Sequence, residues 1–489
     1  MCETRPVSQL SPRAPAPTQA PIPAGTRVLL DTKARFLDRD LLSGGSPWRL
    51  LRLPGASRPV VQRWHGGGDV AVGEERLART LVQQGLLHPI FASDDTTEDI
   101  DVIVPVRDDA VHLDSLLATL CDFHVTVVDD ASLDAAALRE CCARHRVDLV
   151  RLEENLGPAG ARNAGVHATS RPLLWFIDAD VTISDAAWVA ARLRSAMNDP
   201  LVAASAPRIT GPAGTTARER FEHRFSPLDM GATSALVVPR GVVAYVPSAC
   251  LLVRRHALGD GFDETLHVGE DVDLVWRLHD QGWLVRYDAQ VVVSHAARPT
   301  WHRWFAQRIG YGVSSSHLAL RHGNRLAPLR ADGWTLVAWC ATFAGKPLVG
   351  ARIARVAQRR LRERLEETTD DADQVANELV GRGMIGAGGP LARAIVRNFG
   401  AVVLVAALHP RLRRRALVLY CVGTAWRFRS QRPRPADLPL AVADDLAYGV
   451  GVLRGAVLTR SLGALTPHVT KSTLGLREVL GLRRGPTTD

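Results

Sequence analysis

Lysine is almost missing from this chain. It occurs only at Lys33, Lys346 and Lys471, so the formal net charge of +9 rests almost wholly on arginine. A sugar-phosphate nucleotidyltransferase would show a Gly-rich, Lys-containing signature near its first strand. The lysine-free span from residue 34 to 345 counts against that class. GKS and GKT are absent, which excludes a P-loop. The seven cysteines are scattered, with Cys141 and Cys142 adjacent, and form neither a CxxC nor an even-numbered framework. That fits a reducing compartment and argues against a structural zinc. No window reaches the roughly 18 consecutive apolar residues of a confident transmembrane helix. Residues 1–24 hold six prolines but no apolar signal-peptide core, and read as a disordered tail.

What is present is a globular balance of 46% apolar and 23% charged residues over 489 positions, enough for about three domains. A basic excess suits membrane lipid, phosphorylated substrates or nucleic acid, or reflects Arg-rich composition alone. Residues 25–98 read as a small winged-helix-like module. In it "GTRVLL" is a strand, and "SPWRLLRL" is a helix start with Ser46 as N-cap and Pro47 at the first helical position. "GEERLARTLVQQGLLHP" is a helix with Leu77, Leu81 and Val82 on one face, stopped by Gly85 and Pro89. The module resembles small peptide-recognition domains of modified-peptide biosynthesis, although a packing domain without a ligand fits the same pattern. "ASDDTTED" is an acidic linker.

The chain then alternates. "IDVIVPV", "HVTVVDD", "VDLVRL" and "PLLWFIDAD" are short apolar runs separated by helical stretches. This predicts a parallel sheet with helices on both faces and its site at the carboxyl ends of the strands. From about residue 330 the chain becomes helical and Arg-rich. "RLRRR" sits between the runs "AVVLVAAL" and "ALVLYCV". A helical lid with its Arg residues in water fits this pattern, as does a peripheral membrane contact.

Several segments carry chemistry. "VVDDAS" sets Asp129 and Asp130 after a strand, either to accept hydrogen bonds from a nucleoside or as a simple Asx-type turn. "NLGPAGARNAG" surrounds Arg162 and Asn163 with glycines that permit close backbone approach, and Arg162 can pair with phosphate. In "FIDAD", Asp178 and Asp180 end an apolar run. Two carboxylates there are tolerable if they share a hard divalent cation that also holds a diphosphate. "HVGEDVDLVWRL" opens a helix with Glu270, Asp271 and Asp273. Carboxylates are favoured at that end in any case, but one placed near a metal-held leaving group is also a general base. His295 ends a strand in "VVVSHAARPTW", where it is a metal ligand, a phosphate contact or a structural histidine.

In their order over about 200 residues, these segments together with "VIVPVRDD" resemble the family-2 glycosyltransferases of the GT-A fold. The resemblance implies a GT-A α/β domain at 99–325, with a mixed or parallel Rossmann-like sheet. It sits between the winged-helix-like module and a helical C-terminal region at 326–489. It places Pro105, Asp129, Asp130, Arg162, Asn163, Asp178 and Glu270 at the nucleotide sugar. It makes Asp180, with Asp178 and His295, the ligands of Mg²⁺ or Mn²⁺, and Asp271 the base of an inverting transfer. The full layout is similar to a member that adds β-linked glucose from UDP-glucose to a peptide-derived redox cofactor precursor. Expected partners are therefore a UDP-sugar and a small or peptide-derived acceptor, with no nucleic acid. The expected location is the cytoplasm, with peripheral contact at the inner face of the cell membrane. Alternatives are a transferase of cell-wall glycan or glycolipid synthesis, and a non-catalytic peptide-binding protein with a degenerate core. Processive synthases carry QxxRW and multiple membrane helices. The corresponding "HRWFAQRIGYG" departs from that motif and points to a short oligosaccharide instead of an exported polymer.

Overall fold

The computed structural model describes residues 20–470 except 39, 93–95 and 367–368. The expected Pro-rich tail therefore lies outside the described residues as far as position 19. Six short strands come first: β1 (Arg27–Leu30), β2 (Arg35–Phe36), β3 (Leu41–Gly44), β4 (Arg49–Arg52), β5 (Gly68–Asp69) and β6 (Leu87–Ile90). The central sheet follows with β7 (Ile100–Val106), β8 (His124–Asp129), β9 (Asp148–Arg151), β10 (Leu173–Ile177), β11 (Val181–Thr182), β12 (Val202–Thr210), β13 (Ala235–Leu236), β14 (Cys250–Arg254) and β15 (Leu284–His295).

These nine strands form one sheet in the order β11-β15-β12-β14-β10-β7-β8-β9, with β13 also on β15. β10, β7, β8 and β9 are parallel to one another. All five residues of β10 are buried, as are six of the seven in β7, which is what a sheet covered on both faces requires. β14 runs antiparallel to both β10 and β12, so the far half of the sheet is mixed. The parallel half brings the ends of β7, β8 and β10 to one edge. β11 then pairs antiparallel with the last residues of β15, setting Val181 opposite His295. Helix Gly157–Ala168 lies close against β7. A Cβ at Gly165 would come within 2.3 Å of Ile103 Cγ2, so only glycine permits this approach.

The chain divides into two compact units. One contains the residues up to Thr32, Gly45–Pro47 and Val61–Ala297; the other contains Lys33–Gly44, Trp48–Val60 and the residues from Arg298 on. Residues 25–98 contribute to both. In the first unit, β5, β1 and β6 make a small sheet beside helix Glu75–Gln83. Arg79 of that helix makes a bidentate ion pair with Asp199, at 2.9 and 2.8 Å, and both side chains are buried.

In the second unit, β2, β3 and β4 form an antiparallel sheet whose Leu37, Leu41 and Leu50 share a core with Leu365, Val375 and Ala376. The helix expected to start at Ser46 is therefore a strand. Arg49–Arg52 pairs with β3, and the Ser46 hydroxyl accepts from Val242 N (2.7 Å) instead of capping a helix. Ser-Pro followed by leucines suits either element, and pairing with β3 decides it. The described remainder of this unit is mostly helical, including Trp301–His322, Pro347–Leu365, Gly388–Leu408, Pro410–Arg427 and Asp437–Thr459, with Arg330–Asp332 and His468–Thr470 paired as two parallel strands. Among the described residues one helical run, Ala372–Leu408, is long and apolar enough to cross a membrane by length and composition. No apolar run of spanning length shows in the sequence because "AVVLVAAL" (401–408) is only the last part of this helix, and Arg393 and Arg397 interrupt the residues before it.

Candidate active site

The loop after β8 is held by its own aspartates. Asp129 Oδ1 accepts from Ser132 N (2.8 Å), and its other oxygen pairs with the Arg151 guanidinium. Asp130 accepts from Leu156 N (2.7 Å) and Gly157 N (3.0 Å), which fastens the β8 loop to the start of helix Gly157–Ala168. Burial pushes the Asp130 carboxyl pKa up, partly offset by these two amides. Pro105, half-buried in β7, stands opposite Val128. A further residue joins them that sequence reasoning missed. Asp108, at φ +53°, donates its backbone N–H to Ser132 Oγ (2.8 Å), and its carboxylate accepts from Leu133 N (2.7 Å). The doubled aspartate in "VPVRDD" was its only signal.

Asp178, Asp180 and His295 converge. Asp178 N donates to Ala249 O (2.9 Å), and Ala296 N donates to Asp180 O (2.9 Å), so the backbones of β10, β14 and β15 fix both aspartates. One ligand atom from each of the three residues lies within 4.8 Å of the others. His295 Nδ1 is 3.0 Å from Ala296 O, and its Nε2 is 3.1 Å from Asp180 Oδ1. With the Nδ1 proton given to the carbonyl, a neutral imidazole turns a lone pair toward a carboxylate lone pair. That arrangement needs a proton or a cation between the two, and backbone-anchored histidine is the usual form of a metal ligand. Two carboxylates and an imidazole fit a divalent cation.

Beneath this group lies Arg162, only 3% exposed. Its Nη2 donates to Asp178 Oδ1 (2.6 Å) and its Nη1 to Glu270 Oε1 (2.9 Å). Burial works against its charge, but Asp178 and Glu270 outweigh it and raise the guanidinium pKa. The expected phosphate contact is thus a buried bridge between carboxylates, because its reach is already spent on them. Asn163 is likewise turned away. Its amide nitrogen donates to Phe262 O (2.9 Å) and Glu264 Oε1 (2.8 Å), and its oxygen accepts from Phe262 N (2.9 Å).

Helix Glu270–Asp280 begins after Gly269 at φ +90° and carries Glu270, Asp271 and Asp273 in its first turn. Asp271, half-buried, accepts from Val272 N (2.7 Å). Burial and then the Glu270 charge push its carboxyl up to about 7, with Val272 N–H, Arg162 and Ser248 N–H pulling the other way. Ser248 and Ala249, in the loop before β14, were not anticipated; no motif marks them.

Residues 101–262 match the family model Glycosyl transferase family 2. The pre-mycofactocin glycosyltransferase of Mycobacterium tuberculosis strain H37Rv is 36% identical over 483 residues, which cover 92% of this chain and 99% of that protein. The succinoglycan biosynthesis protein ExoU of Rhizobium meliloti strain 1021 is 33% identical over 168 residues, 31% of this chain and 47% of that protein. A mannosyltransferase of Pyrobaculum calidifontis, solved with GDP-Man and Mn²⁺, is 18% identical with a TM-score of 0.41, over 74% of this chain and 89% of that one.

Proposed function

The chain belongs to the family-2 glycosyltransferases of the GT-A fold, and from that premise we propose that it moves glucose from UDP-glucose, with inversion, to a peptide-derived redox cofactor precursor. The observation that carries the acceptor is the likeness along 99% of a protein named pre-mycofactocin glycosyltransferase. The product in this reading is a short β-linked oligosaccharide on that precursor.

The site geometry supports the mechanism. Asp271, poised near neutrality, takes the proton from the acceptor hydroxyl. The hydroxyl oxygen forms its bond to sugar C1 from one face while the C1–O bond to the diphosphate breaks on the other. The electron pair leaves with UDP, and an α-linked donor gives a β-glycoside. Asp180, Asp178 and His295 would hold Mg²⁺ or Mn²⁺, which would stabilise the charge on the departing diphosphate as a Lewis acid. Arg162 and Asn163 serve from beneath: the first fixes Asp178 and Glu270, the second the 262–264 loop. Asp129 and Asp130 shape the loops that receive the nucleoside, beside Pro105.

Mass spectrometry of small molecules from cells with and without the protein tests the reading. Hexose-sized increments should disappear from one peptide-derived metabolite. Purified enzyme should add hexose to that metabolite from UDP-glucose and lose the activity in excess EDTA. Increments on a glycolipid alone would replace the acceptor, and full activity in EDTA would remove the metal.

The location in this reading is the cytoplasmic face of the membrane. Helices Gly388–Leu408 and Pro410–Arg427 expose Val402, Val405, Leu408, Leu417 and Val418 beside Arg411, Arg413, Arg414 and Arg415. Apolar side chains for the acyl boundary next to guanidinium groups for lipid phosphates support peripheral attachment.

A further inference from the structure

The cysteine spacing excludes a CxxC site, but it does not bear on ligands gathered from different helices. Cys141 and His145 lie four residues apart on helix Ala135–His145 and so share one face. Helix Ala110–Leu117 contributes Asp114 to that face. His145 Nε2 stands 2.8 Å from Asp114 Oδ1, and Cys141 Sγ stands 3.7 Å from the same oxygen. One ligand atom from each residue lies within 4.8 Å of the other two. The exposed Arg144 also places Nη1 2.8 Å from that oxygen, so three groups crowd one carboxylate atom. Cys141 is buried, which with the Asp114 charge pushes its thiol up to about 11 and keeps it protonated and inert at neutral pH.

We propose that Asp114, Cys141 and His145 form a second metal site, specific for a borderline, thiophilic divalent cation of the Zn²⁺ class. The donor sets distinguish the two sites. Asp178, Asp180 and His295 offer no sulfur, whereas a thiolate, an imidazole and one carboxylate are the ligands that Zn²⁺ and Co²⁺ select over Mg²⁺. On binding, the Cys141 S–H proton passes to solvent and the sulfur electron pair forms the bond to the cation. Arg144 withdraws into water, and a water molecule completes a tetrahedral set. The site pins together the two helices that follow β7 and β8, which are led in by Asp108 on one side and by Asp129, at the end of β8, and Asp130 on the other. It therefore acts as a staple beneath the nucleotide edge rather than as part of the chemistry.

Cobalt is the probe. The full chain is stripped with a chelator, dialysed and titrated with Co²⁺ while the near-ultraviolet thiolate-to-cobalt charge-transfer band is followed. The band should saturate at one equivalent. It should vanish in Cys141→Ser, persist in Cys142→Ser and in Asp180→Asn, and need about tenfold or more cobalt in His145→Gln. Zn²⁺ should displace the band and raise the thermal midpoint of the unaltered chain but not of Cys141→Ser. If Cys141→Ser does not fold, Asp114→Asn and His145→Gln, altered outside the buried thiol, supply the same comparison through their cobalt requirement. No thiolate band at saturating cobalt, or one that survives Cys141→Ser, or one indifferent to both Asp114→Asn and His145→Gln, reduces the group to a hydrogen-bonded trio and overturns the proposal.

Discussion

Arg162 has its two terminal nitrogens on carboxylates 16 and 108 positions away in the chain, and the active edge depends on that reach. Arg162→Met removes the cation and leaves Asp178 and Glu270 facing each other in a buried setting. Breaking a buried pair in this way costs about 3–5 kcal/mol, which urea unfolding should register. A loss under about 1 kcal/mol would mean that water already relieves the two carboxylates. Asp271 gives a second test. Burial and Glu270 raise its pKa to about 7, so the proton-accepting form grows as pH rises through that value. Transfer measured as kcat/KM should climb about tenfold per pH unit below 7 and level off above it. Asp271→Asn should abolish turnover while UDP affinity stays within about a few-fold. A profile flat from about pH 5.5 to 8 would place the proton elsewhere. Asp180→Ala should lower turnover by about 10²-fold or more, since Lewis-acid help contributes several kcal/mol. Carboxylates after an apolar run are legible in a sequence because burial without a partner is so costly. The role of Arg162 is not, since nothing in "GARNAG" tells whether a guanidinium faces a ligand or folds beneath it.

At the scale of elements, the parallel half of the sheet could be read because β7, β8 and β10 are continuous apolar runs ending in acidic turns. β12 and β14 could not. They are buried along most of their length and carry no period-two alternation, so only pairing identifies them, β12 parallel to β15 and β14 antiparallel to β10 and β12. β4 was misread for a related reason: its leucines fit a helix start until β3 supplies a ladder. The paired helices Gly388–Leu408 and Pro410–Arg427 carry their own prediction. Flotation with anionic liposomes should retain the protein at low salt and lose it at high salt. Changing Arg411, Arg413, Arg414 and Arg415 to Gln should weaken binding, at roughly 1 kcal/mol per residue near the surface. A protein that stays at the bottom of the gradient at low salt would leave these helices as a packing device.

At the scale of the whole molecule, distant parts of the chain are tied by a few buried contacts. Arg79 and Asp199, 120 positions apart, fasten helix Glu75–Gln83 to the region just before β12. Asp199→Ala should destabilise the first unit by about 3–5 kcal/mol and expose helix Glu75–Gln83 to early proteolysis; an unchanged digestion pattern would make the pair dispensable. The sheet β2-β3-β4 spans a longer interval, since Asp38 meets Thr369 across 331 positions. At about 5–20 residues per second, a ribosome needs roughly 15–65 s to deliver the second partner after the first. For that time Leu37, Leu41 and Leu50 have no native core to enter, because Leu365, Val375 and Ala376 have not been synthesised. Folding of this unit therefore cannot proceed vectorially from the first residues to the last. Until Leu365, Val375 and Ala376 have emerged, the early strands hold these leucines in solvent or in transient contacts.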